Sequence, residues 1–437
     1  LLPKDTGYEV CSPWPHSGGV YSTNTRLSPL RGPQKGDKIA WTFTNPNDSP
    51  FISTPVIAAD GTIYTYNSYD VTQADCYLFA ISPQGKLKWK AKISSKSQQT
   101  DYQNSKTFGI AIGKNGIVYV VGGDYILQAF SPNHNLGEDV QPLWVYGYTH
   151  LFLNENNICI GNNGTIYITI SSNLIAIDSN QDHNKVKVKW STNLFMGLST
   201  TCVGIGKNGN IYIGVSSSTP GYYLYAYSPD QEGGNRDVKP LWTSILLSYS
   251  ISYICIGDDD TIYCCGSNVE FGNENIYAFD PNPPDKNLNQ PKWTYNIIPS
   301  DYTNTSISDY TNTSISYNKD NIYASNNLQL FKISSEGNGI RIYNTVNKDS
   351  IVTASCIGAD GTIYIGTDKG NQINCFVHAI RPDGTPLWSK DLPDDTFSES
   401  QTLTGFSIGF DNTLYVSTIG TTIGITTPGK LYAIKDT

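Results

Sequence analysis

Charge is scarce in this chain. Asp, Glu, Lys and Arg make up 15% of its 437 residues, against about a quarter in an ordinary globular domain. The balance is acidic, with a net charge of -9 and a pI near 5.0. That argues against partners such as duplex nucleic acid or an anionic membrane, which call for a basic field. No run of about 20 apolar residues occurs, so no transmembrane span is expected. The histidines His16, His134, His150, His183 and His378 have no paired spacing of a zinc site. Nine cysteines are too dispersed for a disulfide-dense scaffold and too irregular for metal ligation. Helical periodicity is missing from the repeated region as well.

What the chain has is repetition. Seven of its eight tryptophans close nearly the same sentence, and Trp14 stands apart. The clearest copy runs "STPVIAADGTIYTY…CYLFAISPQGKLKW", and seven more follow along the chain. Each copy reads as four short antiparallel strands. The first two are joined at Asp60-Gly61, Asn115-Gly116, Asn163-Gly164, Asn208-Gly209 and Asp360-Gly361, the chemistry of a tight two-residue hairpin that needs positive φ. Asp259-Asp260, Asp320-Asn321 and Asp411-Asn412 stand at the other three turns, where Asx residues tolerate that conformation less well than glycine.

The second strand carries Tyr64, Tyr119, Tyr167, Tyr212, Tyr263, Tyr323, Tyr364 and Tyr415, at spacings of 41 to 60 residues. Loops therefore absorb insertions while the strands keep their roles. The third strand places Ala80, Ala176, Ala226, Ala278, Ala379 and Ala433 on one face, where a small side chain lets neighbouring sheets approach. The fourth brings Trp89, Trp144, Trp190, Trp242, Trp293 and Trp388, with Tyr343 expected in the sixth copy. Cys159, Cys255 and Cys356 share one position and read as small buried hydrophobes.

A unit of this size cannot bury its own apolar face, so the copies must stack on one another. The eighth copy ends at "KLYAIKDT", one strand short, and "DKIAWTFT" near the start, with Trp41, supplies the missing strand. The fold expected is all-β: an eight-bladed β-propeller of four-stranded antiparallel blades, its last blade closed by the N-terminal strand, which removes open sheet edges. Residues 1–35 are expected to form an irregular arm packed on the propeller, anchored by Trp14, and residues 36–437 a single propeller. Residues 301–316, "DYTNTSIS" written twice, read as an exposed loop or a first-strand extension.

"FISTPVIAADGTIYTY…CYLFAISPQGKLKW" and "TASCIGADGTIYIGTDKG…FVHAIRPDGTPLW" resemble the PQQ-like, or quinoprotein alcohol dehydrogenase-like, β-propeller repeat. That resemblance covers about residues 11–437. It implies the propeller fold, and it implies two kinds of function, since the family holds dehydrogenases using pyrroloquinoline quinone (PQQ) with calcium as well as non-enzymatic protein-binding platforms. Methanol-type members place a vicinal disulfide against the quinone, and Cys264-Cys265 is the one adjacent pair here. As residues of a strand, the two face opposite ways and read as separate small side chains. No residue matches the family's metal ligands or catalytic Asp, and its tryptophan-docking motif is absent.

The aspartates of the turns (Asp60, Asp259, Asp260, Asp320, Asp360 and Asp411) look like a ring of carboxylates, yet turn formation is their simpler duty. Calcium needs 6–8 oxygens converging on one point. "GIGKNG" at 204–209 superficially suggests a phosphate loop but precedes a hairpin. No catalytic or metal residue is therefore assigned, and a cofactor site is left unassigned. The function expected is a non-catalytic binding or structural propeller at a cell, envelope or viral-particle surface, engaging protein or glycan through loops at the ends of the axis. Polar stretches at 215–237, 266–275 and 283–292, together with sequons at Asn47, Asn163, Asn304 and Asn312, suit that reading. The alternative is a PQQ- and calcium-dependent dehydrogenase.

Overall fold

Eight sheets make up the chain, each built on four antiparallel strands, hydrogen-bonded in sequence order in the first seven. The computed structural model describes residues 7–437 except 10, 20–23, 48, 52, 68–74, 95–108, 123–124, 135–138, 149–157, 171–172, 180–185, 195–202, 217–221, 231–237, 246–249, 269–272, 287, 298–313, 327, 346–349, 352–354, 369–374, 394–399 and 423–424. Blade one runs Val56–Ile57, Ile63–Tyr66, Cys76–Ile81 and Leu87–Ser94. Blade five runs Ser250–Ile256, Ile262–Asn268, Asn273–Phe279 and Pro291–Ile297. The second copy of the tandem "DYTNTSIS" ends in blade six's first strand, Ser314–Asn318, and the first copy lies outside the described residues.

Within a blade the registers align one conserved row. Tyr64 opposes Ala80, and Ala80 opposes Trp89; Tyr263, Ala278 and Trp293 repeat the row in blade five. Ala129 joins the alanines of this row, between Tyr119 and Trp144. Each indole then leans on the tyrosine of its own blade, with ring centroids 5.6–5.9 Å apart in all seven tryptophan blades. In several blades its N–H reaches the following blade: Trp41 donates to Pro83 O at 2.9 Å, Trp242 to Pro281 O at 2.9 Å and Trp293 to Ser335 O at 2.7 Å, whereas the Trp190 N–H is buried without a partner. The ring plane meets the αL glycine of that next hairpin, so a Cβ at Gly85 or Gly337 would collide with it. Apolar side chains of adjacent blades merge into shared clusters, as Tyr64, Ala80 and Trp89 do with Ile110, Ile112 and Val118.

Closure is non-covalent. Lys38–Thr44 pairs antiparallel with Lys430–Lys435, Trp41 opposite Ala433, so the N-terminal strand closes blade eight. The hairpin that joins third and fourth strands elsewhere is here split between the two ends of the chain. Asp436 replaces the missing covalent turn: its carboxylate accepts the N–H groups of Gln34, Lys35 and Gly36 at 2.7–2.9 Å. Burial opposes the charge of Asp436, and these three bonds outweigh it and hold the carboxyl below its ordinary pKa. Blade eight meets blade one through Ser417 Oγ, which donates to Ser53 O at 2.7 Å.

Two sequence expectations need correction. In seven blades the turn has three residues, and only the third is left-handed, as at Gly61 (φ 80°), Asp260 (63°) and Asn412 (59°). The first Asx turns its Oδ1 inward to accept the N–H two residues on, at 2.8–3.2 Å. Asx side chains mimic a backbone turn in this way. A true two-residue turn occurs in blade six, at Lys319-Asp320 (44° and 64°), one residue earlier than expected.

The second correction concerns the sixth tryptophan position. Ile340, not Tyr343, stands there opposite Lys332, and Ile340 is 64% exposed. The bulge in this outer strand has moved to Ile342, whose carbonyl lies against Gly384 of blade seven. Without the indole wedge, Gly339–Asn344 should exchange its amide hydrogens faster than Pro291–Ile297 of blade five. Hydrogen-exchange mass spectrometry reads this directly, and equal protection would contradict it.

Candidate functional site

The hairpin turns between first and second strands gather at one end of the ring, and the N-terminal arm is laid across that end. Tyr8, Ser12, Trp14, His16 and Ser28 are almost wholly buried. Arm atoms bond to the first strands of successive blades. Ile57 N–H donates to Trp14 O at 2.8 Å, Ile112 N–H to Pro15 O at 2.9 Å, and Ile160 N–H to the Tyr8 hydroxyl at 3.1 Å. Asn24 Nδ2 donates to Val203 O at 2.8 Å, Tyr317 N–H to Thr25 O at 3.0 Å, and Ile357 N–H to Arg26 O at 3.0 Å. The Arg26 guanidinium lies 5.3 Å from the Tyr253 ring centre. Blades one to seven are thus all touched by the segment from Tyr8 to Arg26. Trp14 anchors it by backbone bridge and by burial, as its place between two prolines suggests.

The residues singled out in the sequence do not converge. The carboxylates of Asp60, Asp259, Asp360 and Asp411 point into their own turns. Burial opposes the charge of Asp60, and the Thr62 and Lys88 hydrogen bonds hold its pKa below normal. Cys264 and Cys265 form no disulfide with each other and lie on opposite faces of their strand: Cys264 packs with Tyr212 and Leu224, Cys265 with Ile315 and Ile322. Burial, and then the neighbouring thiols, push the Cys264 thiol well up. Cys159, Cys255 and Cys356 are buried as their shared position suggests, and Cys11 is free and exposed. His150 and His183 lie outside the described residues. Among the described residues no group of three His, Cys, Asp or Glu side chains could hold a metal ion.

Two of the stretches, 215–237 and 266–275, contain more strand than expected, while 283–292 enters a strand only at Pro291. Tyr222–Tyr227 is a third strand, and most of 266–275 belongs to the hairpin of Ile262–Asn268 with Asn273–Phe279. Asn163 of the second sequon is a turn residue whose Oδ1 holds the Thr165 N–H. Asn304 and Asn312 lie outside the described residues.

One cleft opens on the arm-covered end, between blades two and three. It measures about 230 Å³ and is lined by Lys114, Asn115, Tyr119, Asn162, Gly164 and Ser179 among others, with Gly7 of the arm forming one wall. The Tyr119 hydroxyl is buried there without a hydrogen-bond partner. Burial raises its pKa, against the opposing pull of the nearby Asn115 and Ser179 side chains. The sequence offered no pattern for this cleft, since its lining comes from two repeats and the arm.

Burial raises the pKa of every tyrosine in the conserved row, Tyr167 to about 12 and the others upward as well. Unfolded, these phenols ionise near 10. Their contribution to stability is full below that pH and is lost as pH rises through the folded-state values. An absorbance titration should therefore show at least these eight phenols, and Tyr227 with them, withheld from the first ionisation step and released together with a cooperative alkaline unfolding. Smooth titration of all 30 tyrosines near pH 10, with the fold intact, would contradict this.

No protein-family profile matches the chain, and no curated protein sequence does either. Solved structures do. The chain is similar to the Dos1 propeller at 10% identity and a TM-score of 0.51, over 93% of this chain and 97% of that one. It is also similar to the WD40 domain of SCAP from fission yeast at 10% identity and a TM-score of 0.50, over 91% and 98%. At such identity the likeness is one of fold. The protein is an eight-bladed β-propeller.

Proposed function

We propose that this protein is a non-catalytic binding scaffold whose ring presents a surface to a protein partner. The observation that carries the reading is the arm. By bonding across the first strands of blades one to seven, it covers one end of the axis with the chain's own residues. The Asx side chains at that end are spent on turns. Surface for a partner is left at the rim and at the opposite end, from which the connections between second and third strands depart. The segments 95–108 and 298–313, which link the fourth strand of one blade to the first strand of the next, are rich in Ser, Thr, Asn and Tyr, and polar loops at the ends of repeat rings are common binding sites. Placement at a cell, envelope or particle surface, glycan as a further ligand, and an arm of 1–35 set on a ring of 36–437 belong to the same proposal. So does the absence of a cofactor.

The test has two arms. The purified full chain should bind a purified partner saturably at fixed stoichiometry, and replacing 95–108 and 298–313 by Gly-Ser segments of equal length should abolish that binding without lowering the thermal midpoint. Reconstitution with PQQ and calcium should give no dye reduction with alcohols or sugars. Cofactor-dependent dye reduction, or partner binding indifferent to both replacements, would sink the proposal.

A further inference from the structure

Each first–second turn presents the N–H of its first turn residue to the gap before the next blade, and the chain fills these gaps in different ways. In blade one, Ala59 N–H donates to the Glu9 carboxylate at 2.8 Å. In blade four, Lys207 N–H donates to the Asp260 carboxylate at 2.6 Å, and Asn208 N–H to its other oxygen at 3.3 Å. In blade five the Tyr317 hydroxyl accepts from Asp258 N–H at 3.3 Å. In blade seven Leu30 O accepts from Ala359 N–H at 2.9 Å, and the Tyr364 hydroxyl donates to Arg31 O at 2.9 Å. Two of the four occupants are carboxylates, and two come from the arm.

Blade two has the same donors and no occupant. Lys114 stands where Lys207 stands, and its ammonium reaches Asn162 O at 3.0 Å just as that of Lys207 reaches Asp258 O at 2.6 Å. The difference is one residue. Gly164 (φ 79°) holds the left-handed position that Asp260 (φ 63°) holds in blade five, so no carboxylate returns to the Lys114 and Asn115 amides. No described residue accepts from either N–H. The cleft lies at this point, with the partnerless Tyr119 hydroxyl buried in its wall. Asn162 and Phe410 hold the equivalent position in blades three and eight, and Asn162 lines this same cleft.

We propose that the cleft between blades two and three receives a carboxylate side chain of an acidic peptide. The group would take the place that Asp260 fills two blades further on, accepting from the Lys114 and Asn115 amides and the Tyr119 hydroxyl beside the Lys114 ammonium. Charge-assisted bonds to backbone N–H groups are the strong kind, and paired amides form ready anion sites. A peptide suits the site better than a free anion because the arm already shows the binding mode: a chain segment crosses the turns and drops Glu9 into the neighbouring gap. The inference rests on reading the ring as a binding scaffold and names the partner's chemistry.

The probes are a blocked pentapeptide with a central glutamate, its glutamine counterpart, and sodium acetate, each titrated into the nitrogen-15-labelled full chain. The glutamate peptide should shift the Lys114 amide resonance saturably, at least tenfold more tightly than acetate, and the glutamine peptide should not. Gly164→Asp should supply the carboxylate internally and abolish the shift, while Asp260→Gly should open a second site and double the stoichiometry. Tyr119→Phe should weaken binding several-fold, and Lys114→Pro should abolish it, since proline suits this turn position but has no N–H. Thermal melts confirm that each variant is folded. No saturable shift with the glutamate peptide, acetate as tight as the peptide, or unchanged binding in folded Gly164→Asp would each overturn the proposal. If the partner of the ring still binds Gly164→Asp at full strength, this inference fails and the scaffold reading stands.

Discussion

A chain lacking residues 1–44 should not fold to a stable monomer. The deletion takes away the outer strand of blade eight, the three amides that hold Asp436, and the arm bonded to blades one to seven. It leaves Lys430–Lys435 as an unpaired edge, a template for aggregation. It also exposes the apolar cluster in which Trp14 and Trp41 pack with Phe406, Leu431 and Tyr432. Size-exclusion chromatography and circular dichroism should find aggregate or a chain without a cooperative melt. A milder form is Asp436→Asn, which keeps the shape and removes the charge from the split hairpin. Its melt should be lower than the parent's at neutral pH, and the difference should vanish as pH falls through the depressed pKa of Asp436. That sign follows because a carboxylate favoured in the fold stabilises above its unfolded pKa and loses that contribution under acid. A fully stable, monomeric 45–437 fragment would contradict the role given to the N-terminal strand.

Trp89→Ala should lower the stability by about 3–5 kcal/mol, the usual cost of emptying so large a core site. Trp89 is fully buried, its ring 5.6 Å from that of Tyr64, and its N–H donates to Pro132 O at 3.3 Å. The wedge therefore ties blade one to blade two, and the loss falls on both. Trp89→Phe keeps much of the packing and leaves that carbonyl short of one donor, at about 1 kcal/mol for the hydrogen bond. Trp293→Ala should cost less, because that indole is half-buried and packs beside the blade without a tryptophan. Chemical denaturation measures all three. A Trp89→Ala loss below that of Trp293→Ala would show that the indoles are not the wedges between blades.

Strand number, blade count and closure could be read from the Tyr, Ala and Trp positions, because a stacked repeat must give equivalent positions equivalent burial. Finer features depended on which atom competes for a backbone N–H. Asp60 and its equivalents widen their turns by bonding the N–H two residues on, and that choice is invisible in an Asp-Gly pair. Blade six shows the limit of counting along a strand: the shorter link at Gly339 moves the bulge and puts Ile340, not Tyr343, opposite Lys332. The split hairpin did have a signal, since "GPQKGDKIAW" echoes "SPQGKLKW" with two extra residues. The cleft had none. Its meaning lies in the difference between Gly164 and Asp260, which matters only once their neighbours are known to be Lys114 and Lys207.

The ring closure can be tested with one engineered bond. Lys38 and Lys435 are directly opposed in the antiparallel pair, within reach of a disulfide. The variant Lys38→Cys/Lys435→Cys, made in a Cys11→Ser background because Cys11 is the exposed thiol among the described cysteines, is oxidised and digested, and its linked peptides are identified by mass spectrometry. The expected result is a near-complete intramolecular link between the first and last segments of a monomer, with a higher thermal midpoint than the reduced form. A folded protein that forms no such link, or links only between chains, would contradict closure of the eighth blade by the N-terminal strand.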